Sequence, residues 1–310
     1  MGNSSDTILE LVEIVDDGLE IPDPFPRETA EKTPDNTEAY VLALLGVHGG
    51  AGVSSLAVQT AYDMAVNTEK DVLLIDMNFE RGSIAPYLDI APSFVLADLN
   101  AANGRMDAPL AQTFIRRHSK HLCVISPKAE LGGNDRVDAL ALLSLLDVVS
   151  PQFSAIVLDV PALWRSWISP VLEAADECVL VSELRVPALH SAKNLRADII
   201  AKLPDCEPQI LINKHERRHF RGGLTLQDAV KVLGRENLHS VCVDDETLRE
   251  AVNVGKPAGM IKSDSRFVKA VREWRSGMAK PSLSVKSAKA EFKGVDRRAG
   301  RRPHLIRKRA

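Results

Sequence analysis

The sequence predicts an α/β fold: three layers, with a mostly parallel sheet of about seven or eight strands and helices on both faces. Three observations predict it. Short β-branched apolar runs alternate with helical stretches from Tyr40 onward. The runs are apolar at nearly every position, not at every second one, as strands buried on both faces must be. The chain has 310 residues and is 45% hydrophobic, which is enough to bury a large core and too apolar for a disordered chain.

Residues 1–39 form an acidic segment ahead of this domain. Ile8, Leu11, Val12, Val15 and Leu19 share one face of a helix, with Asp6 placed to cap it and Glu10, Glu13 and Asp17 turned away. The run Ile21-Pro22-Asp23-Pro24-Phe25-Pro26 ends that helix and begins a linker. The helix is expected either to fold back on its own domain or to lie in a partner's groove. Within the domain, 40–278, strands are expected at Val41–Val47, Val72–Asp76, Leu122–Ser126, Ala155–Asp159, Cys178–Ser182, Gln209–Asn213 and Val241–Asp244. Helices are expected at Ser54–Val66, Arg136–Val149, Ala188–Lys202 and Leu224–Leu233.

Residues 279–310 carry 11 Lys and Arg against 2 Asp and Glu, and 1–40 carry 11 Asp and Glu against 2 Lys and Arg. So apolar-poor a tail cannot offset its ordering entropy, and a basic disordered tail is expected. It is a solvated linker, a contact for anionic lipid or a partner for the acidic head. Nucleic acid is the weaker alternative, because Phe292 is the tail's one aromatic. No apolar run approaches the ~20 residues of a spanning helix. The N-terminus lacks the pattern of a signal peptide. A cytoplasmic protein is expected. Cys123, Cys178 and Cys242 lie in apolar runs, Cys206 does not, and none of the four forms a C-x-x-C pair. Buried small hydrophobes are the expectation.

The strongest local signal is Leu44-Leu45-Gly46-Val47-His48-Gly49-Gly50-Ala51-Gly52-Val53-Ser54-Ser55. A strand enters a glycine-rich turn and a helix follows at once. Such a turn points backbone N–H groups and a helix N-terminus at an anion. Gly50, Gly52 and Ser54 hold the spacing of the end of a phosphate loop, but its lysine position is Val53. Asp76 and Asp159 each close a strand at the edge where α/β sheets bind ligands. Asp159 is placed to hold a Mg²⁺-bound water, with Ser54 as direct ligand. A tight turn without ligand fits the same residues. So does part of a dinucleotide fingerprint, Gly50-x-Gly52-x-x-Ser55 with Asp76, although its third glycine is missing.

On these residues the chain resembles the deviant Walker A P-loop ATPases of the MinD/ParA class. Within that class it is similar to the CpaE/TadZ proteins of Tad (Flp) pilus assembly. The resemblance spans roughly 40–275 and is carried further by Asp159-Val160-Pro161-Ala162-Leu163-Trp164-Arg165-Ser166-Trp167, by Ala174-Ala175-Asp176-Glu177-Cys178-Val179, by Leu189–Asn194 and by Ile210-Leu211-Ile212-Asn213. It implies a P-loop NTPase fold binding ATP and Mg²⁺. His48, Gly49, Gly50, Ala51, Gly52, Val53, Ser54 and Ser55 would surround the phosphates, and Asn213 would read adenine. Ser54 would bind the metal directly, with Asp76 and Asp159 acting indirectly. It also implies a homodimer at the cytoplasmic face of the inner membrane, near a pole, recruiting the Tad secretion machinery.

The departures bear on catalysis. The class's signature lysine is His48 here, and the aspartate that positions the attacking water is Asn78. Losing one positioned acid–base group costs ~10²–10⁴ in rate. Weak or absent hydrolysis is therefore expected, with a nucleotide-biased scaffold as the resulting function. An active positioning ATPase on DNA or membrane, and a nucleotide-free interaction protein, are the alternatives.

Other motifs have plainer readings. His215-Glu216-Arg217-Arg218-His219 matches H-E-x-x-H, but it follows a strand and runs into Gly222-Gly223, so a basic surface loop is expected in place of a zinc helix. Trp164 and Trp167 are expected to pack, with a ligand stack as the alternative. His48 remains a candidate phosphate contact when protonated.

Overall fold

In the computed structural model, which describes residues 39–216 and 223–278, eight strands form one sheet. In chain order the elements begin β1 (Tyr40–Gly46), α1 (Val53–Thr68), β2 (Val72–Asp76), α2 (Ile84–Tyr87), α3 (Leu96–Ala101), α4 (Ala108–Thr113), β3 (Arg116–Arg117), β4 (Leu122–Ile125), α5 (Ala139–Val149) and β5 (Ala155–Val160). They continue α6 (Ile168–Glu173), β6 (Glu177–Ser182), α7 (Val186–Lys202), β7 (Gln209–His215), α8 (Leu226–Leu233), β8 (Leu238–Cys242), α9 (Asp245–Asn253), α10 (Ala258–Ile261) and α11 (Arg266–Ser276).

The strand order is β3-β4-β2-β5-β1-β6-β7-β8, and every pair is parallel except β3 with β4. β1 lies at the centre, so the turn that leaves it opens in the middle of the sheet's C-terminal edge. Successive residues of β1 face opposite layers: Leu42 and Leu44 join one core with α1 and α11, while Ala43 and Leu45 join the other with α5, α6 and α7. This is the expected three-layer α/β architecture.

Several expected boundaries shift, each for a local reason. Arg136–Val149 begins at Ala139, because the Asp138 carboxylate caps the helix by accepting from the Leu140 and Ala141 N–H groups. Leu224–Leu233 begins at Leu226, because Thr225 caps it. The last strand is Leu238–Cys242 and not Val241–Asp244, because Asp244 caps α9. β3 goes beyond the expected strands; its two arginines carry no apolar signal, and it is the sheet's edge strand, paired only with β4. Cys123 and Cys178 are buried, whereas Cys242 and Cys206 are half-buried. The expected Ile8–Leu19 helix, the 279–310 tail and residues 217–222 lie outside the described residues.

α1 is fixed from behind. Asp63, 2% exposed, accepts from Arg272 Nε at 3.1 Å and Arg275 Nε at 2.6 Å, both on α11. Gln59 Oε1 accepts from the Gly259 N–H at 2.7 Å. A buried carboxylate costs free energy unless paired, so these bonds tie α11 and α10 to the middle of α1.

Candidate functional site

The turn between β1 and α1 is built by two glycines in the left-handed region, Gly50 at φ +82° and Gly52 at φ +87°. Other residues are strained there. Gly52 is the N-cap of α1, and no side chain caps the helix. The first N–H groups of a 16-residue helix therefore open onto the turn, together with the positive end of its dipole. A Cβ at Gly49 or Gly50 would meet nothing within 4 Å, so the crest of the turn faces open space. Behind it the packing is tight. Asn213 Nδ2 donates to the Ala51 carbonyl at 2.8 Å, and a Cβ on Gly52 would collide with that amide.

The carboxylates lie side by side. Asp76 on β2 and Asp159 on β5 are in direct register, 1% and 5% exposed. Asp76 accepts from the N–H groups of Asn78 and Ile84, each at 3.0 Å, and from Ser126 Oγ at 3.3 Å. Gly82 is needed here, because a Cβ would come within 2.7 Å of Asp76 Oδ2. Asp159 is hydrogen-bonded by the Ser54 side chain, and Ser83 Oγ donates to Ser54 Oγ at 2.8 Å. Burial pushes both carboxyl groups up, and the Asp76 charge raises Asp159 further. Two buried acids beside a serine hydroxyl at a helix N-terminus suit a hydrated divalent cation: the cation would remove the repulsion that now raises Asp159.

The cations expected of such a site are missing from the turn. Val53 is half-buried and packs against the α1–α11 core beside Gly46, where a Cβ would lie 3.0 Å from Val53 Cγ2. His48 Nδ1 is 2.9 Å from the carbonyl of its neighbour Gly49. Asn78 is held within its own turn: its Oδ1 accepts from the Arg81 N–H at 3.0 Å and from Asn134 Nδ2 at 3.1 Å. Asn134 in turn accepts from the Phe79 N–H at 2.9 Å, and its carbonyl accepts from Trp167 Nε1 at 2.9 Å.

Trp167 is thus a core residue, 1% exposed and edge-on to Phe79. Trp164 is half-buried, with Lys202 Nζ 5.7 Å from its ring centroid. His215 ends β7, and His219 lies outside the described residues. No cluster of three or more His, Cys, Asp or Glu able to hold a metal occurs among the described residues.

Sequence reading missed Lys214. Its ammonium donates to the Gly50 carbonyl at 2.6 Å and to Glu183 Oε1 at 2.8 Å. Glu183 follows β6, is 5% exposed, and also pairs with Arg185 at 3.1 Å. Burial pushes the Glu183 carboxyl up, but the Lys214 bond and charge, with Arg185 and His48, outweigh it and hold the group below its usual range. A lysine one residue after Asn213 carries no motif. The signal that brings it here is a bulge, described below.

No protein-family model and no curated protein matches the chain. Solved structures do. A ParA family ATPase from Chlorobium tepidum TLS superposes with a TM-score of 0.68 at 21% identity, over 77% of this chain and 99% of that one. The septum site-determining protein MinD from Pyrococcus horikoshii OT3, complexed with Mg-ADP, gives 0.62 at 14% identity over 75% and 93%. A Cyanothece McdA variant complexed with ATP gives 0.62 at 14% identity over 79% and 100%. The chain has the fold of the ParA/MinD P-loop ATPases, with the glycine turn and the carboxylate pair on the sheet's central C-terminal edge.

Proposed function

We propose that the chain is a nucleotide-biased scaffold: a CpaE/TadZ-like localisation and assembly factor for Tad (Flp) type pili, dimeric when ATP is bound, with weak or no hydrolysis. The observation that carries this reading is an imbalance within one site. The N–H cradle of Gly49, Gly50, Ala51 and Gly52, the Ser54 hydroxyl and the Asp76–Asp159 pair suit Mg²⁺ and a triphosphate. The groups that would drive turnover do not: Val53 is packed, and Asn78 is tied to Arg81 and Asn134.

In this reading the phosphates sit on the N–H groups at the start of α1. Ser54 would hold the metal, and Asp159 and Asp76 its water shell. Bound Mg²⁺ would neutralise phosphate charge. Ser55 would contact the phosphates, and Asn213 would form the adenine side while keeping its bond to Ala51. The dimer face, the inner-membrane or polar location and the Tad machinery as partner rest on the sequence resemblance. The 279–310 tail is suited to anionic lipid, at ~1 kcal/mol per Lys or Arg near a charged surface. No helix among the described residues is long and apolar enough to cross a membrane.

A second reading, a cycling positioning or partition ATPase, is favoured by the fold shared with the ParA and MinD structures. Calorimetric titration of the full chain with Mg-ATP, with phosphate release and sedimentation on the same sample, separates the two. The scaffold binds at micromolar ATP, dimerises and releases no phosphate in steady state. The cycling enzyme releases phosphate. No binding at millimolar ATP overturns both and leaves a nucleotide-free interaction protein.

A further inference from the structure

Lys214 holds an unusual place. β7 and β8 pair in register up to Ile212 with Ser240, and then His215 pairs with Cys242. Three steps on β7 match two on β8, so one extra residue bulges out of β7. Lys214 sits in that bulge with φ +54°, left-handed and costly for a residue with a Cβ. Bulges re-aim side chains, and this one sends Lys214 to the crest of the glycine turn. There its ammonium meets the Gly50 carbonyl at 2.6 Å.

The turn itself brings no lysine and no arginine; Val53 and His48 stand where cations are expected. A triphosphate at the N–H groups of Gly49 and Gly50 would come to rest beside the Lys214 ammonium. Glu183 stands on the ammonium's other side, buried, and Lys214 is 44% exposed at its side chain. Arg185, the other full cation on Glu183, is 73% exposed and starts from another loop.

We infer that Lys214 is the phosphate-binding cation of this site, supplied by the β7 bulge in place of the missing loop lysine and restrained by Glu183 until a triphosphate arrives. The inference rests on the nucleotide reading above. It adds two elements: which residue carries the charge, and which residue opposes it. When phosphate binds, the ammonium exchanges its Gly50 and Glu183 acceptors for phosphate oxygens. A charge-assisted bond to phosphate is stronger than one to a peptide carbonyl. Glu183 keeps Arg185 as its partner. Binding is thus opposed by the Lys214–Glu183 pair, and weakening that pair tightens binding.

The test is calorimetric titration of the full chain with Mg-ATP, AMP and inorganic tripolyphosphate. Lys214→Met is expected to weaken Mg-ATP and tripolyphosphate about 10- to 100-fold, the usual size of a charged hydrogen bond, while AMP is unchanged. Lys214→Arg retains most of the affinity. Glu183→Gln tightens Mg-ATP several-fold, and this gain vanishes in the Lys214→Met background, because the two act through one pair. Wild-type protein that binds Mg-ATP together with an unchanged Lys214→Met variant overturns this inference and leaves the nucleotide reading intact. A Lys214→Met variant that loses AMP and triphosphate equally, with a matching fall in Tm, makes Lys214 a staple of the loop and also overturns it. Wild-type protein that binds no Mg-ATP overturns both.

Discussion

The two halves of the site are built differently. The carboxylate half is set by the sheet. Asp76 and Asp159 end neighbouring parallel strands in register, and each is held by bonds from the chain around it. The other half, from which the charges are missing, belongs to side chains at turns and at the start of α1: Val53 and His48 stand where cations are expected and Asn78 where an aspartate is, and Val53 packs while Asn78 accepts from the Arg81 N–H. The lesson is that the position of the half embedded in the sheet is set by strand register, whereas the other half can be emptied of charge while the fold remains. The lysine found nearby comes from a third place, a bulge at the far end of β7.

The largest effect is expected on the carboxylate half. Asp159→Asn keeps an acceptor for the Ser54 hydroxyl and, at pH 9, above the value of about 8 to which burial and Asp76 push the Asp159 carboxyl, removes one of two adjacent buried charges. At that pH and without ligand the variant is expected to melt higher than wild type, by about 2–4 °C for each kcal/mol of relieved repulsion. With Mg-ATP it is expected to lose the ligand-induced rise in Tm. Thermal melts with and without Mg-ATP check both signs. A variant that melts lower and still responds to Mg-ATP would mean that the carboxylate pair is merely structural.

Next is the turn's backbone. Gly52→Ala combines left-handed strain with a collision against Asn213. Gly104→Ala has similar strain, at φ +72°, but open space around it. Left-handed strain alone costs about 1–2 kcal/mol. Gly52→Ala is expected to exceed Gly104→Ala by at least ~1 kcal/mol in denaturant unfolding, because core overpacking adds to strain. Equal losses would show that Asn213 yields freely and that the Asn213–Ala51 bond does not fix the turn.

The half that has lost its charges invites gain of function. Asn78→Asp retains acceptors for the Arg81 N–H and for Asn134 Nδ2, so the turn is expected to persist. If the site is a resting ATPase, the new carboxylate raises steady-state phosphate release, by up to the ~10²-fold that one positioned acid–base group supplies. Val53→Lys in the same background is expected to add about tenfold in Mg-ATP affinity, the value of one charged hydrogen bond. A double variant that binds no better than wild type would sink the view that the charges missing at Val53 and Asn78 limit this site.

Much of the site was legible in sequence because its signals are local. The Gly50-Ala51-Gly52 spacing, the acids at strand ends and the apolar strands each sit within a few residues. The alternation of strand and helix gave seven of the eight strands for the same reason, and the eighth, Arg116–Arg117, is too short and too polar to announce itself. What escaped depends on long-range partners or on backbone irregularity. The Asp63 clamp joins residues more than 200 positions apart. The fixing of Asn78 by Asn134 joins loops 56 positions apart. Lys214 reaches the turn only because β7 gains one residue against β8, and no residue type marks a bulge in advance.

The smallest expected effect concerns pH, and it tests the counter-charge to Lys214. Glu183 has a folded-state pKa below its ordinary value, because Lys214, Arg185 and His48 outweigh its burial. A depressed carboxyl pKa contributes stability that is fully present above the unfolded value, about 4.3, and is lost as pH falls through the folded one. Glu183→Gln removes that contribution at every pH. The difference in Tm between wild type and Glu183→Gln is therefore expected to hold constant from pH 7 to about pH 5, then to shrink as the pH drops below the ordinary Glu range. It stays within a degree or two, because Lys214 and Arg185 are 44% and 73% exposed and solvent screens both pairs. A difference that grows on acidification would mean that burial, and not the three cations, sets the state of Glu183, and the opposing role assigned to it would fall with that result.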